Sequence, residues 1–318
     1  MESYSDFAYL YDTFMEDVPY EMWAEIITEL IERYSASYTR KCAGNLGAGK
    51  SASAGSKNIL DLGCGTGTLT SLMAKKGYIM TGADYSVDML SVARNKAIQS
   101  GDEILYICQD MRELELPQPA DAVICVCDSI NYMTSDEDMD AVMNGVYANL
   151  KKDGLFVLDF NTLYKYETVI GDTTIAENRE DCSFIWENYF DPETHINEYD
   201  VTFFAKVCAE GCADGYSDRQ EDTEGCDDGQ GDAEGCADGQ GDVGAEDAEL
   251  FRRFTETHVQ KGYTLSEMRT FAKKAGFSIV AEYEASDSDE DSDGEFISFE
   301  DLKSPDEESE RIYLVLKK

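Results

Sequence analysis

Positive charge is what this sequence has least of: its 318 residues hold 66 acidic side chains against 26 basic ones, a formal charge of -40. A surface of that sign repels phosphate backbones and anionic bilayers. Nucleic acid and membrane are therefore not expected partners, and a neutral or cationic small molecule is. Long apolar runs are missing too: the densest, such as residues 122–127, are strand-sized, well short of the roughly 20 residues a membrane helix needs. The ten cysteines include no Cys-x-x-Cys pair, and only His195 and His258 could complete a zinc site, so no metal centre is expected. The chain opens Met-Glu-Ser-Tyr-Ser-Asp, without a basic start and apolar stretch. This predicts no secretory signal, no disulfides and a cytoplasmic location.

The charge is concentrated. Residues 208–250 carry a net -14 and residues 282–310 a net -13, leaving -13 on everything else. The first stretch holds an imperfect Glu-Gly-Cys-(Ala/Asp)-Asp-Gly repeat opening at Glu210, Glu224 and Glu234. A calcium-binding roll would need an aliphatic residue in each turn to build a core, and none is present. Low hydrophobicity with high charge predicts a solvated, disordered insert there and at residues 286–293.

What is present is periodicity. Trp23, Ile26, Ile27, Leu30, Ile31 and Tyr34 fall on one helical face. Residues 35–57, rich in Ser, Ala and Gly, have no period and read as a flexible loop. From residue 58 onward short apolar runs at 58–62, 79–84, 104–109, 122–127 and 155–159 alternate with helical segments, the pattern of a parallel sheet with crossover helices. Ser135 is placed to cap a helix with Lys151 and Lys152 in its last turn and Gly154 as its left-handed stop. Residues 183–190 and 196–206 read as an antiparallel pair, Thr264 and Glu267 as a capping box with Gly276 as the stop, and 277–283 and 311–316 as closing strands.

The segment Ile59-Leu60-Asp61-Leu62-Gly63-Cys64-Gly65-Thr66-Gly67 is a buried strand running into a glycine-rich turn and a helix. Glycines there let main chain approach a ligand closely. Asp84, ending the next strand about twenty residues on, is placed to accept from both hydroxyls of a ribose. A dinucleotide fingerprint needs Gly or Ala where Thr68 stands.

With glycines at 63, 65 and 67 after Asp61, the segment resembles the first motif of class I S-adenosylmethionine-dependent methyltransferases, and the likeness spans most of the chain outside the acidic stretches. Gln109-Asp110-Met111 is similar to that family's adenine-binding strand end. Cys127-Asp128-Ser129-Ile130-Asn131-Tyr132 is similar to the version found in bacterial small-molecule methyltransferases, where main chain after the strand faces the methionine moiety. The resemblance implies an α/β, Rossmann-like, seven-stranded mostly parallel sheet with helices on both faces, an N-terminal helical lid and an antiparallel β insert. It implies one methyltransferase domain divided as 1–34 lid, 35–57 loop, 58–160 cofactor core, 161–206 substrate-side insert, 207–250 acidic insert, 251–285 with 311–318 completing the sheet, and 286–310 acidic loop. S-adenosylmethionine is the implied cofactor, held by Asp61, Gly63, Cys64, Gly65, Gly67, Asp84, Tyr85, Asp110, Met111, Cys127 and Asp128 and covered by Tyr11 and Trp23. Asn131, Tyr132, Trp186, Tyr189 and Tyr263 would line the acceptor pocket.

The implied reaction is in-line displacement of a sulfonium methyl by an atom of a small-molecule acceptor. His258, with Glu256 on the same strand face if that segment is extended, is the candidate base. Other readings remain open: a cofactor-binding protein without catalysis, an interaction protein working through its acidic inserts, or a P-loop. Residues 44–51 satisfy Gly-x4-Gly-Lys-Ser, but they neither follow a buried strand nor open a helix, as a phosphate loop must.

Overall fold

A computed structural model of the protein describes residues 8, 11–16, 18–35, 57–179, 182–206, 250–285 and 298–318. The 44–51 segment, the Glu-Gly-Cys repeats, the 286–293 run and nearly all of the expected 35–57 loop lie outside these residues.

Five parallel strands, β1 (Asn58–Leu62), β2 (Ile79–Asp84), β3 (Leu105–Cys108), β4 (Ala120–Cys125) and β5 (Leu150–Asn161), lie in one sheet with β10 (Ser278–Glu284) and β11 (Arg311–Lys317). The order is β10-β11-β5-β4-β1-β2-β3, and β11 alone runs antiparallel to its neighbours. Burial on both faces explains the near-continuous apolar runs: Ile59, Ile124, Val157 and Val315 face one way, and Leu60, Val123, Phe156 and Leu314 the other. Against the first set packs α1 (Tyr20–Tyr34) with α2 (Thr68–Lys75). Against the second pack α4 (Asp136–Asn149) and α5 (Leu265–Ala275). A further helix, α3 (Val87–Ser100), covers Tyr106 at the β3 edge.

The capping chemistry is built largely as the sequence predicts. Ser135 accepts from the Asp138 amide, Thr264 and Glu267 form a reciprocal capping box, and Gly276 closes α5 in the left-handed region. The end of α4 differs. It passes directly into β5, so Lys151 and Lys152 are strand residues, and Asp153 (φ 62°), not Gly154, takes the left-handed turn. Gly154 is needed for closeness instead: a Cβ there would lie 2.9 Å from the Lys151 carbonyl oxygen. Strand β4 ends two residues before the expected position because Cys127 and Asp128 are both left-handed, and a ladder cannot continue through them.

A second sheet, entirely antiparallel, follows the order β6 (Thr174–Asn178), β7 (Cys182–Asp191), β8 (Ile196–Lys206), β9 (Phe251–Lys261). Two of its four strands were not foreseen. Residues 251–261, expected to help complete the main sheet, pair with β8 instead. The expected lid differs: α1 is a core layer with seven buried residues, and what meets the second sheet before it is Ala8 with Tyr11 and Phe14 of residues 11–16.

Candidate active site

The carboxyl ends of β1, β2 and β4 form a crevice. After β1 the chain turns through Gly63 (φ 79°), Gly65 (φ 53°) and Gly67 (φ 75°), a conformation other residues rarely adopt. A Cβ at Gly63 would meet Ser129 at 2.7 Å and one at Gly67 the Tyr106 hydroxyl at 2.4 Å, whereas at Gly65 nothing lies within 4 Å. Gly65 therefore borders open space while its neighbours are packed. Its amide donates to Asp84 Oδ2 at 2.8 Å, and the Ser86 amide donates to Asp84 Oδ1 at 2.8 Å. Burial raises the Asp84 carboxyl, against the pull of these amides. Asp61 is buried beneath the turn, where Thr70 donates to it at 2.5 Å. Desolvation pushes its carboxyl up to about 7, with Asp84 adding to the shift.

Beside Asp84 runs an open groove lined by Tyr85, Cys108, Gln109 and Asp110. Asp110 caps the short turn that carries Met111. It accepts from the Arg112 amide and guanidinium, and this bond holds its carboxyl below the usual range. On the other side Tyr11 lies against Tyr20 and Cys127, and burial lifts its phenol well above the ordinary value. Asp12 latches this segment down. It accepts from Thr66 Oγ1 (2.5 Å) and Thr68 Oγ1 (3.3 Å) on the glycine turn and from Lys96 Nζ (2.7 Å) on α3.

The inner face of the second sheet closes the far wall. Strand register sets Trp186, Val201 and Glu256 in one row and Asn188, Tyr199 and His258 in the next. The Trp186 and Tyr199 rings lie 4.9 Å apart at a tilt of 35°, and Tyr199 stacks on His258 at 4.9 Å. His258 Nδ1 shares a 2.8 Å hydrogen bond with the Tyr132 hydroxyl from the turn after β4. Burial pushes the imidazole down to about 4, with Asp128 opposing, so it is neutral at physiological pH.

A family model described as "Methyltransferase domain" matches residues 59–154, which span β1 through the first residues of β5. A protein of Geobacillus sp. (strain WCH70), named as a candidate methyltransferase, is 29% identical over 99% of this chain and 100% of its own. Among solved structures, a S-adenosylmethionine-dependent methyltransferase from Clostridium acetobutylicum ATCC 824 superposes with a TM-score of 0.68 at 23% identity, covering 99% of this chain and 98% of that one. S-adenosylmethionine-bound CalS10, an amino pentose methyltransferase from Micromonospora echinaspora, superposes at 0.59 with 14% identity over 97% and 95%. Residues 59–154 thus match a methyltransferase domain, and the chain has the fold of S-adenosylmethionine-dependent methyltransferases.

The crevice suits S-adenosylmethionine. Gly65 borders open space, the Asp84 carboxylate beside it is an acceptor for hydroxyl donors, and Tyr85 and Asp110 border an open groove.

Four expected positions fall elsewhere. Trp23 is 3% exposed and sits in the core layer of α1, its ring 5.7 Å from the Arg311 guanidinium. Asn131 is fully buried, donating to the Asn161 and Lys261 carbonyls and accepting from the Asn161 amide, so it staples the turn and leaves nothing for a substrate. Tyr263 is fully buried and donates to the Met133 carbonyl. Tyr189 is 54% exposed on the outer face of β7, opposite to Trp186, because side chains alternate along a strand.

Several residues at the crevice were not anticipated: Asp12 and Lys96 in the latch, and Asp159, Gln260 and Arg311 behind the turn after β4. Asp159 had a visible signal, a charge inside the otherwise apolar run Leu155-Phe156-Val157-Leu158-Asp159-Phe160. Such a charge is held in a core only when paired.

Proposed function

We propose that this chain is an S-adenosylmethionine-dependent methyltransferase that acts on a small-molecule acceptor, in the cytoplasm, with the inner face of the second sheet as the acceptor wall. The observation carrying this reading is the cluster of Trp186, Tyr199 and His258 from two adjacent rows, joined by Tyr132, facing the turn after β4. An aromatic wall with one imidazole recognises a compact organic group, and the acidic surface disfavours nucleic acid. The free thiols of Cys64, Cys108, Cys125, Cys127 and Cys182 suit a reducing compartment.

Bound S-adenosylmethionine supplies an electrophilic methyl on a sulfonium, already a competent leaving group. The protein's part is then positioning and exclusion of water. In this reading Asp84 binds the ribose, Tyr85, Asp110 and Met111 flank the adenine, Gly63, Cys64, Gly65 and Gly67 bring main chain close, and Cys127 and Asp128 face the methionine end. Tyr11 covers that end while Asp12 keeps the segment shut. Asp61 and Trp23 support from beneath.

His258 changes role from the sequence expectation. An imidazole lowered to about 4 holds a proton weakly, so it orients the acceptor through hydrogen bonding more readily than it stores a proton. A neutral amine, which attacks through its lone pair, needs no stored base, and CalS10 acts on an amino pentose. Glu256, 2% exposed on the same face, is a partner for such an amine. The deciding experiment is a radiolabelled methyl-transfer screen over fractionated cell metabolites. Label entering small amines supports the reading, and label entering only RNA or protein overturns it.

A further inference from the structure

Two successive non-glycine residues in the left-handed region, Cys127 (φ 60°) and Asp128 (φ 50°), form the turn after β4. Each costs roughly 1–2 kcal/mol relative to ordinary backbone, so something must hold the turn. One side chain does so directly. Asp159, fully buried on β5, accepts from the Cys127 amide at 3.1 Å and from the Asp128 amide at 2.9 Å. The arrangement leaves two carboxylates, Asp128 and Asp159, close together behind the crevice. Arg311, the first residue of β11, reaches both: Nη1 donates to Asp159 at 3.3 Å and Nη2 to Asp128 at 3.2 Å. The remaining Asp128 oxygen accepts from Gln260 Nε2 at 2.8 Å, and Gln260 lies on β9 two residues from His258. Its Oε1 accepts from the Tyr166 hydroxyl at 2.7 Å. One guanidinium at the start of β11 thus touches β5, the crevice turn and, through Asp128 and Gln260, β9 of the acceptor wall.

We propose that Arg311 is a positioning residue: its guanidinium holds Asp128 and Asp159 as a charged pair and so fixes the turn of Cys127 and Asp128 against both the cofactor crevice and β9. The assignment rests on the proposed cofactor roles of Cys127 and Asp128. Without the cation, two adjoining carboxylates cannot both stay ionised, and a protonated Asp159 accepts two amides poorly. The turn then loosens as pH falls.

The other groups facing this pair do not blur that signal. The phenols of Tyr11, Tyr166 and Tyr199 and the thiols of Cys125 and Cys127 are held above their ordinary values by burial, while His258 is pushed down to about 4. Asp159 itself is raised by burial with Arg311 opposing, Asp84 is raised by burial, and Asp61 is pushed up to about 7; Asp84 and Asp61 are common to wild type and variants, so the ratio of variant to wild type isolates the effect of the guanidinium.

The test is calorimetric titration of the full chain with S-adenosylhomocysteine at pH 8, 7 and 6. The quantity read is the affinity of each variant divided by that of wild type. For Arg311→Met this ratio should fall progressively from pH 8 to pH 6, one linked proton giving at most about tenfold per pH unit. Arg311→Lys, which keeps the charge, should restore a level ratio. Asp159→Asn should bind about tenfold more weakly at every pH, with no slope, because its amide cannot accept both main-chain donors. General loss of stability would lower the melting temperature without giving this pattern. A level ratio for Arg311→Met at wild-type affinity overturns the assignment. If that variant does not fold, wild-type affinity in Asp159→Asn overturns it instead. Absence of binding by the wild-type chain overturns the cofactor roles themselves, a separate failure.

Discussion

The two walls of the crevice are made from different materials. On the main sheet the wall is mostly main chain: left-handed glycines, amides turned inward and one carboxylate at each of several strand tips. On the second sheet it is side chains in register rows, where the rings of Trp186, Tyr199 and His258 meet across strands β7, β8 and β9. The main-sheet wall is local in sequence, since its turn is nine residues of one motif. The second wall joins residues more than fifty positions apart, and its chemistry depends on strand register, where a slip of one residue would turn every side chain to the other face. A scaffold of the first kind suits a constant partner such as a cofactor, and one of the second kind can change partners by changing side chains.

The contrast can be broken most sharply at the glycine turn. Gly67→Ala places a Cβ against the Tyr106 hydroxyl in a left-handed residue and should cost about 3 kcal/mol, combining overpacking with backbone strain. Gly65→Ala, facing open space, should cost about 1 kcal/mol of stability while weakening S-adenosylhomocysteine binding. Urea denaturation and calorimetry read the two effects, and equal losses of stability would contradict the packing described.

On the second wall, His258 is neutral when folded and titrates near 6.5 when unfolded. Its contribution is fully present above pH 6.5 and is lost as pH falls to about 4, by on the order of 3 kcal/mol. The difference between wild type and His258→Gln isolates this slope, because Asp61, whose raised pKa acts in the opposite direction, is common to both. Urea unfolding curves across pH 4 to 7 that stay parallel for the two proteins would refute the burial of the imidazole.

Asp84→Ala removes one acceptor from the main-sheet wall and should weaken S-adenosylhomocysteine by roughly 1.5–3 kcal/mol. Circular dichroism of the β-sheet region should be unchanged. Retained affinity would separate Asp84 from the ribose. Smallest of all, Tyr189→Ala on the outer face of β7 should leave stability within about 0.5 kcal/mol and binding untouched. A loss of methyl transfer there would mean the outer face of the second sheet participates.

Much of the main-sheet wall was legible because its signals are short-range. Asp61, the three glycines, Asp84 and Asp110 are each defined by the end of a strand and the residues that follow. The misplacements have a shared cause. Asn131 and Tyr263 were read as pocket residues from their place in a motif, yet their polar atoms are spent on main chain. Trp23 and Tyr189 depended on which face of an element turns inward, and for Tyr189 that is a matter of strand parity. Gly154 looked like a helix stop because glycine often is one, whereas here it admits the Lys151 carbonyl at close range.

From the sequence alone came the alternation of strands and helices, the glycine-rich turn and the acidic strand ends, because each is specified by residues adjacent along the chain and by hydrophobic period. Only the tertiary structure decided that Phe251–Lys261 joins the second sheet, that Asp12 and Lys96 fasten the N-terminal segment to the turn, and that Arg311 stands behind Asp128. Those pairings bring together groups up to 183 positions apart, and no local preference encodes them. They arise when burial forces each charge to find its partner.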